Sequence, residues 1–219
     1  MLHALRHSHT DITLHLLKKN VTVCSSELLS HTHPQEHRQA ESFSSLRQRE
    51  YLRSRFVLHK LLGDSKQPIL KDQASGRPLF AKGILGSISH KNGQIVCAIK
   101  SAANYRAIGI DIEKKSVPKA VIKRISSAKE QDSLKISCPE LGDVANSVIF
   151  SSKEAIYKAY SSLGLTLRLD DIMITEITDN KTVSTVRQNI FPKNHLVKTA
   201  FSRIDIDQTE YIISSCAII

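Results

Sequence analysis

The segment Ala107–Glu113 (AIGIDIE) constrains the chain more than any other. Ile108, Ile110 and Ile112 alternate with Gly109, Asp111 and Glu113. That is the alternation of a strand with one apolar and one polar face. Asp111 and Glu113 then leave the same face, close enough to share a hard cation. Further on, in Lys153–Lys158 (KEAIYK), Ser151 or Ser152 can cap a helix start, and Glu154 and Lys158 fall at i and i+4 on one helix face. A third carboxylate brought beside the two on the strand suits Mg²⁺, which takes few protein oxygens and keeps room for phosphate. On spacing alone the commoner meaning of both patterns is a solvated face, with the Glu–Lys pair worth ~0.3–0.5 kcal/mol.

The rest of the chain alternates between helical and extended patterns, which predicts an α+β fold. Ile12, Leu14 and Leu16 predict one short strand, and Val21 with Val23 a second. His31-x-His33-x-x-x-His37 has a zinc-like look, but it sits beside Pro34 in a polar stretch with no cysteine or carboxylate at matching spacing, so a solvated loop is expected. Residues 42–62 form the clearest helix: Ser42 or Ser44 can cap it, Phe43, Leu46, Leu52, Phe56 and Leu61–Leu62 give an apolar stripe, and Gly63 ends it. Arg49 and Arg53 are expected on its solvated side. Residues 67–85 read as a Pro/Gly-punctuated connection, and residues 86–99 as a hairpin bending at Lys91-Asn92-Gly93. After the acidic strand, Ser116 can cap a helix packed through Ala120, Val121 and Ile125. A second short helix around 127–134 and a loop with Pro139 and Gly142 lead to a helix over 153–163, closed by Gly164. From Asp171 the pattern is β: Ile172, Ile174 and Ile177, a turn at Asp179-Asn180, Val183–Val186, and a hairpin of 197–206 with 211–219 across Asp207-Gln208.

With 219 residues the chain can bury one sizeable core or two small packed lobes. No apolar run approaches the ~20 residues of a membrane helix, and the N-terminal segment lacks the pattern of an export signal, so a cytoplasmic protein is expected. Cys24, Cys97, Cys138 and Cys216 are scattered without a C-x-x-C, which favours reduced thiols. The net charge of +10 draws acidic partners. A basic nucleic-acid-binding module is one reading, although aromatics for base stacking are few and no recognition motif is present. A polyanionic cofactor with an acidic protein partner accounts for the charge equally well.

Four blocks, in order, resemble those of the Sfp-type 4′-phosphopantetheinyl transferases: Ile108–Lys114 (IGIDIEK), Phe150–Tyr160 (FSSKEAIYKAY), Gly76-Arg77-Pro78 followed by Gly86–His90 (GSISH), and Arg47-x-x-Glu50 with Arg55. The last is similar to the subgroup of the enterobactin-synthetase transferase component. The resemblance implies two pseudo-twofold-related α+β lobes, 1–102 and 103–219, each a small antiparallel sheet packed with helices, with coenzyme A between them. It implies transfer of the 4′-phosphopantetheine arm of coenzyme A to a serine of an acidic apo acyl or peptidyl carrier protein, releasing adenosine 3′,5′-bisphosphate, by a monomer that needs neither nucleic acid nor membrane. It further implies Mg²⁺ (or Mn²⁺) on Asp111, Glu113 and Glu154, with Glu154 also a candidate base and Lys158 against the pyrophosphate. Arg47 and Arg55 would meet the 3′-phosphate, Arg77 the nucleotide end, and Ser89 and His90 the phosphates or adenylate. A non-catalytic coenzyme A or carrier-binding member is the remaining alternative. The subgroup often carries Trp-Pro after the G-R-P turn, where this chain has Leu79-Phe80-Ala81-Lys82 and no tryptophan at all. Lys119, Lys123 and Arg124 are the expected carrier-facing cations.

Overall fold

Two of three hairpins follow directly from turn chemistry. Asn92-Gly93 and Asp207-Gln208 adopt positive φ (52° and 77°, then 52° and 65°), the conformation that a two-residue hairpin turn demands. The strands they join are β3 (Ile84–Lys91) with β4 (Gln94–Ser101), and β8 (Val197–Ile206) with β9 (Thr209–Ile218). The third joins β1 (His3–His7) and β2 (Ile12–Leu17). The computed structural model describes residues 2–128, 130–132, 139–178, 181–186 and 195–219. Among them lie also α1 (Ser25–Ser30), α2 (Pro34–Ala40), α3 (Ser45–Leu62), β5 (Ala107–Lys114), α4 (Lys119–Ile125), α5 (Ala145–Ser162), β6 (Ile172–Thr178) and β7 (Lys181–Val186). The described strands make two antiparallel sheets, β1-β2-β4-β3 and β5-β9-β8-β7-β6. The fold is thus α+β, as expected.

Alternation along the strands distributes the core. On one face of the first sheet Leu17, Ile95 and Cys97 pack against Phe56, Val57 and Leu58 of α3. On the other face Ile12, Leu14, Leu16, Val96 and Ala98 form one cluster with Ile108, Ile110 and Ile112 of β5 and Ile213 and Ala217 of β9. The opposite face of the second sheet takes α5 through Ala155, Ile156, Ala159 and Tyr160. Both faces of β5 are therefore covered. The polar side of β5 is therefore not solvated, and Asp111 and Glu113 are only 4% and 9% exposed.

Gly109 sets the closeness of α5. A Cβ at that position would lie 1.9 Å from the carbonyl oxygen of Ala155 and 2.6 Å from the nitrogen of Ala159. Only glycine on the strand, with alanines on the helix, lets the two backbones touch.

Several local expectations are revised. Val21 and Val23 lie in an irregular stretch before α1, while β1 is a strand the pattern did not reveal. The histidine-rich segment is helical rather than a loop: His33 caps α2, its ring accepting from Gln35 N–H, and His37 Nε2 pairs with Thr32 Oγ1 at 2.6 Å. Leu46, placed in the apolar stripe of α3, is exposed, and Arg53 is not a solvated side chain, since its guanidinium donates to the Lys18 carbonyl at 2.7 Å. Helix α4 begins at Lys119 and packs through Ile122 and Ile125, not Ala120. Helix α5 begins at Ala145, so Ser151 and Ser152 are buried inside it and cap nothing. Its longer N-terminal part packs through Val148 and Ile149. Pro139–Val144 forms a short 3₁₀ segment rather than an open loop. Cys24, Cys97 and Cys216 are free thiols. Of the second short helix, 128 and 130–132 are helical, while 129, 133 and 134, Cys138 and the Asp179-Asn180 turn lie outside the described residues.

Candidate active site

The acidic strand is an edge of its own sheet, so the outward N–H groups of Ile110 and Ile112 have no strand partner there. Side chains from β3, the edge of the other sheet, satisfy them. Ser87 Oγ accepts from Ile110 N–H at 3.0 Å and Ser89 Oγ from Ile112 N–H at 3.3 Å. Ser89 also donates to Asp111 Oδ1 at 2.9 Å. The two sheet edges are thus stitched together at the carboxylates, and the G-S-I-S-H block supplies the stitches.

Lys158 enters from α5. Its ammonium donates to Asp111 Oδ1 at 2.8 Å, Ser89 Oγ at 3.1 Å and the Ile110 carbonyl at 3.1 Å. Glu113 is held by Lys91, whose Nζ lies 2.6 Å from Oε2. Burial raises the Glu113 carboxyl above its ordinary value, opposed by the Lys91 hydrogen bond, with Asp111 pushing it further up. Burial likewise raises Glu154, opposed by the charge of Lys158 and reinforced by both Asp111 and Glu113. The three carboxylates therefore sense one another across the junction of β5 and α5.

Among the described residues no three Asp, Glu, His or Cys side chains stand assembled as a finished metal cluster. The acidic group nonetheless fits a divalent ion. Among the described residues Asp111 Oδ2 is buried without a hydrogen-bond partner, a costly arrangement that a cation would relieve. Carboxylate oxygens are also the hard donors that Mg²⁺ and Mn²⁺ prefer.

Beside this group opens a cleft of about 390 Å³ between the G-R-P turn, β3 and α5, with Arg77, Phe80, Ser87, Tyr157, Lys158 and Ser161 in its walls. Arg77 donates to Ser75 Oγ at 2.9 Å and to the Ser161 carbonyl, tying the turn to the end of α5. The walls of a smaller cavity, about 90 Å³, share Gly76, Pro78 and Ile88 with this cleft and add Arg47, Arg55 and His90. There Arg47 contacts His90 Nε2, and Glu50 lies 3.2 Å from His90 Nδ1 and 3.5 Å from Arg47. Burial lowers the His90 pKa, partly offset by Glu50. Arg55 is 4% exposed and lies 3.9 Å over the Tyr51 ring, with its Nε donating to the Ile69 carbonyl at 2.7 Å.

Of the anticipated residues, Arg77 and Lys158 line the cleft, Arg47, Arg55 and His90 line the smaller cavity, and Ser89 and Lys158 both bond Asp111. Lys91 and Tyr157 were missed as site residues. The position of Lys91 two residues beyond Ser89 on the same strand face was the available signal. Lys153 is not part of the site: it is wholly buried, donating to Glu130 Oε2 at 2.9 Å and to the Ile125 carbonyl. Glu130 in turn accepts from Ile174 N–H at 2.6 Å, so this pair pins α4 and α5 to β6.

Comparison with known proteins shows the family. Residues 107–216 match the family model of the 4′-phosphopantetheinyl transferase superfamily, and residues 35–100 match that of the 4′-phosphopantetheinyl transferase N-terminal domain. The chain is 30% identical over 145 residues to the 4′-phosphopantetheinyl transferase Npt of Nocardia iowensis, a match covering 62% of this chain and 64% of that protein. It is 32% identical to the transferase Svp of Streptomyces mobaraensis over 113 residues, 50% of this chain and 46% of the relative. With PptT of Mycobacterium tuberculosis it shares 32% identity over 121 residues, 54% of this chain and 52% of the relative. The chain thus spans between about half and just under two thirds of the length of these relatives. With one family model covering half of its length and a second covering most of the remainder, the chain belongs to the 4′-phosphopantetheinyl transferase superfamily.

Proposed function

We propose that the protein transfers the 4′-phosphopantetheine arm of coenzyme A to a serine hydroxyl of an apo carrier protein, releasing adenosine 3′,5′-bisphosphate. The observation that carries this reading is the junction of β3, β5 and α5. There a basic, cleft-lined stretch ends on three mutually sensing carboxylates and Lys158. A polyanionic cofactor laid along that stretch finds cations at its nucleotide end and an acidic, metal-ready group at its diphosphate.

In this reading the N-terminal lobe, 1–102, holds the nucleotide and the C-terminal lobe, 103–219, does the chemistry. Arg47 and His90 face the 3′-phosphate. Arg55, buried against Tyr51, backs that cavity with a fixed positive charge, and an arginine fork suits phosphate oxygens. Arg77 lines the nucleotide side of the cleft. Asp111, Glu113 and Glu154 would hold Mg²⁺ or Mn²⁺, which supplies charge compensation to the diphosphate when bound. Lys158 turns from Asp111 toward the bridging oxygen and neutralises the charge that develops on the departing bisphosphate. The serine oxygen attacks the phosphorus that carries the pantetheine arm, the bond to the nucleotide phosphate breaks, and the serine proton passes to a base. We assign that proton to Glu154, which takes it directly or through a metal-bound water.

The partner follows from charge. Lys119, Lys123 and Arg124 are exposed on α4, directly after the acidic strand, and suit an acidic carrier. We assign the protein to the enterobactin-synthetase-like subgroup on its Arg47-x-x-Glu50 helix, and expect a cytoplasmic monomer. The test is incubation with coenzyme A, Mg²⁺ and a panel of apo carrier proteins, followed by intact-mass measurement. One added 4′-phosphopantetheine on a carrier is the expected result. Carriers of every class left at their apo mass by folded protein would refute the activity.

A further inference from the structure

Lys91 occupies a position that the catalytic reading above leaves unexplained. Ser87, Ser89 and Lys91 share one face of β3 and meet β5 as successive rungs, at Ile110 N–H, Ile112 N–H and Glu113. The Asn92-Gly93 turn follows immediately, so the Lys91 backbone is fixed by the hairpin and its side chain is directed at Glu113. The ammonium grips both oxygens of that carboxylate, at 2.9 Å from Oε1 and 2.6 Å from Oε2. Among the described residues Lys91 bonds Glu113 alone, whereas Lys158 donates to three groups. The Lys91 side chain is also 37% exposed against 12% for Glu113. Its ammonium can swing into water once another cation takes its place on Glu113, whereas Lys153 and its partner Glu130 are both buried, at 1% and 2%.

We propose that Lys91 is an internal counter-cation that competes with the divalent ion for Glu113 and so sets the metal affinity of the site. This rests on the assignment of Glu113 as a metal ligand. One carboxylate cannot offer both oxygens to an ammonium and a free lone pair to a second cation at full strength. Two adjacent cations also repel. Binding of the divalent ion therefore releases Lys91, and the protein binds metal more weakly than its three carboxylates alone would dictate. The pair keeps the acidic cluster compensated until the ion arrives with its diphosphate.

The experiment titrates Mn²⁺ alone, read by the electron paramagnetic resonance signal of the free ion, with and without inorganic pyrophosphate. It compares the native protein with Lys91→Met, Lys91→Arg and Glu113→Gln. Removing the competitor tightens Mn²⁺ binding by roughly 2- to 5-fold in Lys91→Met, the size expected of one partly exposed charge pair. Lys91→Arg keeps the native affinity, and Glu113→Gln weakens it. In melting curves Lys91→Met starts below the native protein and gains more from saturating Mn²⁺. Native binding with an unchanged or weaker Lys91→Met overturns the competition while leaving the metal site standing. No Mn²⁺ binding by any variant overturns both.

Discussion

Replacing Gly109 by alanine tests how the two halves of the site are held together. The added Cβ would stand 1.9 Å from the Ala155 carbonyl oxygen, where ordinary contact begins at 3.4 Å, so α5 must retreat by about 1.5 Å. Neither neighbour can rotate away, because both near contacts, Ala155 and Ala159, are helix backbone. Overpacking in a closed core costs roughly 1–3 kcal/mol, and a backbone clash belongs at the upper end, about 3 kcal/mol. At about 2–4 °C per kcal/mol for a chain of this size, the melting temperature should fall by about 6–12 °C. The same shift carries Glu154 and Lys158 away from Asp111, and Lys158 sits only 2.8 Å from its partner. Transfer should therefore fall by ~10²-fold in kcat/KM, measured well below the new melting temperature. Differential scanning calorimetry and a coenzyme A transfer assay read the two effects. An unchanged melting temperature with unchanged rate would refute the argument that glycine permits the contact.

Four further outcomes are expected. Asp111→Asn or Glu154→Gln should leave far-ultraviolet circular dichroism native and lower transfer by at least ~10²-fold, with the loss not recovered by saturating coenzyme A. Lys153→Met should lower stability by about 3–5 kcal/mol in urea titrations, because it strands Glu130 in the core, and Lys153→Met combined with Glu130→Leu should cost less than the single change. Charge reversal at Lys119, Lys123 and Arg124 should raise the carrier KM far more than the coenzyme A KM, and the effect should fade in high salt. His7 is buried against Ser215 at 2.7 Å and burial lowers its pKa from 6.5 to about 4. Its unfolded form takes up a proton in that window while the folded form does not, so stability is present above pH 6.5 and is lost as pH falls toward 4, by about 3 kcal/mol. His7→Gln should flatten that part of the curve measured by denaturant titration.

The sequence made some of this plain and hid the rest for identifiable reasons. Hairpins at Asn92-Gly93 and Asp207-Gln208, the helix ending at Gly63 and the order of the site blocks depend on local chemistry, and local chemistry is written in adjacent residues. Polarity misled where tertiary packing decides. On spacing alone Asp111 and Glu113 resemble a solvated face, because their alternation carries no sign that a second sheet and α5 close over them. Arg53 looked like a surface cation, yet it clamps a backbone carbonyl, and nothing local announces that Lys153 neutralises Glu130 across many residues. The start of α5 was set too late because Ser151 and Ser152 are good capping residues. In the fold, Val148 and Ile149 extend the buried face upstream of them.

The central claim is that Asp111, Glu113 and Glu154 converge on one cation that grips a diphosphate. Crystals grown with Mn²⁺ and coenzyme A, measured at the manganese absorption edge, address it directly. The account predicts a single anomalous peak within bonding distance of all three carboxylates and of the cofactor's pyrophosphate, with Lys158 against the same phosphates. A manganese peak elsewhere, or a diphosphate bound away from Asp111, would contradict it.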